Sequence, residues 1–211
     1  LQAIIAARAS DHPLAITLKN EDSSEWTALR TGDQPGMLAS ILASLPHDRS
    51  LKAAKIYTSL DGDLVLDTFE FGAQLSFDPS NDTHTQKLND IIEYARTHAP
   101  EWREADIREY IAHCSATYIE TLTPLRICYH HDLFAQVSGS DGTTVVLEQE
   151  TDPTESRITV VFGNARTRTS IERCAMLLAR HKIDIKRAYL DLVEDPKHGS
   201  VTFVGFVVQS P

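Results

Sequence analysis

The chain has 211 residues, 42% of them hydrophobic and 24% charged, the balance of a globular protein with a sizeable core rather than a disordered or fibrous one. Lys and Arg number 20 against 30 Asp and Glu, giving a net charge of −10 without a compensating basic stripe, which argues against a nucleic-acid partner. No apolar run approaches the roughly 20 residues that cross a bilayer, so a membrane partner is not expected either.

The opening, Leu1 to Arg8, has too short an apolar core and no basic start for a signal peptide. It also lacks an initiator Met, from which we expect a piece of a longer protein. Cys114, Cys128 and Cys174 are sparse, odd in number and all set in helical patterns, as reduced thiols of a cytoplasmic protein would be.

Residues 1–25 read as a lead-in. Trp26–Arg30 is a short strand, broken by Asp33-Gln34-Pro35-Gly36. Met37, Leu38, Ile41, Leu42 and Leu45 then recur at helical spacing, and Pro46 ends that helix. Leu51–Ser59 and Leu64–Phe71 are strands around Asp61-Gly62, a hairpin signal because glycine accepts positive φ. Leu88, Ile91, Ile92 and Ala95 form the stripe of a second helix, closing a first module over residues 26–100.

Residues 101–140 read as a helical connector, with stripes at Ile107, Tyr110, Ile111, Cys114 and Tyr118 and again at Tyr129, Leu133, Phe134 and Val137. A second module, 141–211, begins with Thr144–Leu147 and Ile158–Phe162 as strands. A helix follows on Ile171, Cys174, Ala175 and Leu178, then strands at Ala188–Leu192 and Val201–Val208, repeating the strand–helix–strand–strand order of the first module. Leu64 and Leu66 against Val65, Phe69 and Phe71, and the two parities of Val201–Val208, place apolar groups on both faces of their strands. Each second face then needs a cover from the connector, the other module or another subunit.

A strand, then Gly32-Asp33-Gln34-Pro35-Gly36-Met37-Leu38, then a helix and a hairpin resembles an ACT domain. The resemblance implies an α+β fold of two ferredoxin-like βαββαβ modules, the second a diverged copy with Gly163–Arg168 in place of the turn. Three segments in order, Thr31–Leu38, Lys55–Gly62 and Ile185–Asp191, resemble the amino-terminal regulatory region of large NAD-specific glutamate dehydrogenases. That likeness implies a parent enzyme that uses NAD, a catalytic domain elsewhere in the same chain and a non-catalytic role for these residues, while the second apolar strand faces lead us to expect a homo-oligomer.

The turn itself has ligand-binding chemistry. A helix start offers free amides and partial positive charge to a carboxylate. Gly36 permits close approach, Pro35 suits the first turn, and Asp33 either caps the helix or meets an ammonium. An amino-acid effector would set its carboxylate on the amides near Gly36, Met37 and Leu38. A plain capped turn is the competing reading, with the chain then a purely structural oligomerisation region or a stand-alone regulator of another enzyme.

Catalysis finds no motif. There is no G-x-G-x-x-G turn, no phosphate loop and no G-x-S-x-G elbow, so no cofactor is expected within this segment. Cys114, Cys128, His113, His130 and His131 lack the paired spacing of a zinc site, and buried thiols with partly exposed histidines are expected instead. Asp191, Glu194 and Asp195 read as solvated carboxylates near a strand end.

Overall fold

The computed structural model describes residues 15–19, 24–32, 36–45, 51–59, 63–72, 77–78, 80–164, 167–197 and 199–209. Eight strands form one antiparallel sheet in the order β1-β2-β4-β3-β7-β8-β6-β5. They are β1 (Ala15–Lys19), β2 (Glu25–Thr31), β3 (Leu51–Thr58), β4 (Leu64–Phe71), β5 (Thr143–Gln149), β6 (Glu155–Gly163), β7 (Asp184–Asp195) and β8 (Gly199–Gln209). Between them run α1 (Met37–Ser44), α2 (Asp82–His98), α3 (Glu104–Ala112), α4 (Ala116–Thr121), α5 (Pro124–Val137) and α6 (Thr167–Arg180). The fold class is therefore mixed α and β, with all ladders antiparallel.

The sheet consists of two halves with the same plan. Each runs strand, strand, helix, strand, strand: β1-β2-α1-β3-β4 and β5-β6-α6-β7-β8. Each places its second strand beside its fourth and its first strand at the outer edge. The halves meet where the equivalent strands β3 and β7 pair, with Lys55 opposite Tyr189 and Ala53 opposite Asp191.

This plan differs from the expected βαββαβ order in two respects. The lead-in contributes β1, which pairs with β2 and supplies the edge strand. The helix α2, read as closing the first module, leaves that half and joins the connector. Its Leu88, Ile91 and Ala95 pack with Ile107, Ile111, Tyr118, Ile127 and Leu133. Cys114 also lies just past the end of α3 rather than within a helix.

Both sheet faces are used, unequally. On one, α1 and α6 lie side by side over Val65, Phe69, Leu190, Val204 and Phe206. On the other, α2–α5 cover the second half through Val161, Val193, Val201 and Phe203. The long apolar run of β8 is thus buried on both faces, as such a run in a central strand demands. The expected second cover for β4 is missing among the described residues, and Leu66 stays 40% exposed. No helix among the described residues is long and apolar enough to cross a membrane.

Candidate functional site

The predicted ligand turn sits at the corner between β2 and α1. Asp33 and Pro35 lie outside the described residues. Gly36 occupies the N-cap of α1 at φ 92°, where a residue with a Cβ is strained, and no side chain among the described residues caps the helix. A Cβ built there would meet the Ala179 Cβ at 3.7 Å, so the start of α1 rests against the end of α6. The side chain of Leu38 is buried in the core, leaving only its amide for a ligand, while Met37 is half-buried.

The corner is anchored from the sheet. The Arg30 guanidinium donates to the Asp67 carboxylate at 3.0 Å and to the Gly32 carbonyl at 3.2 Å. Gly32 N–H donates to the Asp63 carbonyl at 2.8 Å. Both members of the ion pair are buried.

A second concave site lies on the opposite face, at the junction of β3 and β7. It is a cavity of about 310 Å³ with sheet as floor and the α4–α5 turn as wall. Lys55 and Tyr57 come from β3, Tyr189 and Asp191 from β7, Arg157 and Thr159 from β6, Phe203 and Gly205 from β8, and Arg126 and His130 from α5. Alternation on paired strands explains the convergence, because the lining residues of all four are odd-numbered and share one face in the aligned register.

Electrostatics divide the cavity. At one end Arg126 and Arg157 flank His130, and both arginines are held from outside, Arg126 by Glu148 at 2.7 Å and Arg157 by Glu150 at 2.5 Å. Burial first, then those two cations, push the His130 imidazole down to about 3, so it is neutral. Its Nδ1 meets the Tyr118 hydroxyl at 3.0 Å, and its ring stacks on Phe203 at 4.6 Å. Asp191, opposite Phe203 in the β7–β8 ladder, is the only carboxylate among the lining residues. Loss of water raises it to about 7, with Lys55 opposing the shift and Glu70 adding to it.

Asp191 is therefore not the solvated carboxylate that its strand-end position suggests. Glu194 is exposed and pairs with Lys52 at 2.9 Å, and Asp195 accepts the Lys197 amide at 2.7 Å to cap a turn. A sequence signal for Asp191 did exist: an acid inside the alternating run Ala188–Leu192 sits where strands are depleted of Asp. Lys55, Tyr57, Arg126, Arg157 and Gly205 carried no separate signal, since they converge only through long-range pairing.

The metal alternative gains no geometry. Among the described residues no three His, Cys, Asp or Glu gather as ligands. His131 is packed against Trp102 and Tyr110. Burial pushes the Cys128 and Cys174 thiols up to about 11 and raises the Cys114 thiol as well, away from the thiolate form. Comparison of the sequence with protein-family models and with curated proteins finds no match to either.

Proposed function

We propose that this chain is a non-catalytic regulatory and assembly region of a larger enzyme, an NAD-specific glutamate dehydrogenase by the resemblance of its segments, and that it senses an amino acid through paired ACT-like modules. The observation that carries the reading is the juxtaposition of two equal halves. β3 pairs with β7 while α1 packs on α6, so Gly36 sits beside Ala179 of the other half. An effector there would touch both halves, and a ligand that favours one arrangement of the two shifts their equilibrium. Two of the three segments behind the resemblance, Lys55–Gly62 and Ile185–Asp191, include strand residues at the junction of the halves, Lys55–Tyr57 and Arg187–Asp191.

Calorimetry of the 211-residue chain against a panel of amino acids tests the sensor. Binding at the corner in the millimolar range or tighter is expected, and Gly36→Asp should abolish that component, because a side chain at φ 92° distorts the corner. The substitution should cost about 1–2 kcal/mol of stability. Silence from every amino acid would leave an assembly role alone.

That second reading has its own observation. Val145 and Leu147 on the edge strand β5 are 64% and 71% exposed, and Met176 and Leu177 of α6 are exposed as well. An uncovered apolar edge favours pairing with another chain. Sedimentation should show a self-associated chain that Leu147→Lys shifts toward monomer. A monomeric parent chain would remove the assembly half of the proposal.

A further inference from the structure

We propose that the cavity at the β3–β7 junction is a second ligand site, taking a compact organic acid whose carboxylate lies between Arg126 and Arg157 and whose ammonium or hydroxyl donates to Asp191. It lies on the opposite sheet face from the Gly36 corner and does not depend on the resemblance. Four observations converge on it.

The cavity, about 310 Å³, is at the small end of the range for small-molecule sites. Its cationic end is built in advance. Each arginine is bonded to a glutamate outside the cavity, which fixes its direction while a guanidinium with five N–H groups keeps donors for a second anion. Arg157 also lies over the Tyr189 ring, 5.7 Å from its centroid, a second restraint on its plane. Neutral His130 adds no charge of its own; with Nδ1 engaged by Tyr118, its Nε2 remains for a ligand.

The cavity also holds an acceptor. Asp191 borders the cavity on a strand, beside Lys55 across the β3–β7 ladder, where a bare carboxylate is poorly solvated and an incoming donor would relieve it. The floor is open by composition: Gly205 stands opposite Thr159 and Tyr189, and a Cβ there would make only ordinary contact, 3.7 Å from the Tyr189 ring. Any larger side chain at 205 would project into the cavity.

Succinate, L-malate and L-aspartate share one carbon skeleton and differ in carrying hydrogen, hydroxyl or ammonium at a single carbon, so they read the acceptor directly. Isothermal titration of the 211-residue chain with each is the experiment. L-aspartate is expected to bind at least about tenfold more tightly than succinate, the value of one hydrogen bond to a charged group, with L-malate between them. Asp191→Asn should erase that order. Arg126→Gln should weaken all three alike, and Gly205→Val should abolish binding while circular dichroism shows the fold retained.

Gly36→Asp should leave this binding unchanged, which separates the cavity from the α1 corner. Loss of the aspartate signal in Gly36→Asp but not in Gly205→Val would assign the ligand to the corner and overturn the cavity proposal. Absence of binding by all three acids at about 10 mM, too weak to populate the site usefully, would overturn it as well.

Discussion

Asp67→Ala is expected to destabilise the protein by about 3–5 kcal/mol, the usual cost of removing one partner of a buried ion pair. Asp67 is 0% exposed, in the middle of β4, and Arg30 reaches it from β2 at 3.0 Å. The truncation removes the carboxylate but leaves the guanidinium beneath α1, beside the apolar Val65, Phe69 and Leu42. The same guanidinium holds the Gly32 carbonyl, so the corner ahead of α1 should loosen together with the core. Urea unfolding of the two chains measures the loss. Replacing both partners by apolar residues, as in Arg30→Met with Asp67→Leu, should recover much of it, since the desolvation of both ions disappears too. An Asp67→Ala midpoint within experimental error of the parent would mean that water reaches Arg30.

What sequence patterning reveals here is local. Met37 to Leu45 has helical spacing and becomes α1, and the apolar-rich segment Val201–Val208 becomes a strand covered on both faces. The strand–helix–strand–strand repeat was legible because each half must bury one sheet face under one amphipathic helix. The edge strand β1 was not, because Ala15–Lys19 is only five residues long, too short for its apolar pattern to stand out. The destination of α2 was equally hidden: its stripe shows that one face is buried, not against which partner.

The two candidate sites differ in the same way. The Gly36 corner is contiguous and its chemistry is visible in a heptapeptide, whereas the cavity draws on β3, β6, β7, β8 and α5 and exists only once Tyr57 is opposite Arg187 and Asp191 opposite Phe203. Register, set by the whole sheet, placed those side chains on one face.

Asp191→Asn is expected to make the protein more stable above neutral pH and to remove part of its pH dependence. In the folded chain the Asp191 carboxyl is raised from 3.8 to about 7, so between those values the native state holds a proton that the unfolded chain has released. Stability therefore falls as pH rises through that window, and the charged form is carried at a cost above it. A shift of this size corresponds to at most about 4 kcal/mol, and water in the cavity reduces the expected gain of Asn to about 1–3 kcal/mol at pH 8. The charges that face Asp191 are Lys55 from β3 and Glu70 from β4, with the neutral Cys114 and Tyr118 behind it. Lys55→Met should therefore push the carboxyl higher still and widen the window. Urea midpoints of the three chains between pH 4 and pH 8 should converge at the acid end and separate at the basic end. Equal midpoints at pH 8 would show a carboxyl already solvated, with no reason to recruit a ligand's ammonium. A native group that destabilises its own fold at working pH is retained where something else stabilises it, and the cavity at the β3–β7 junction is where that partner would bind.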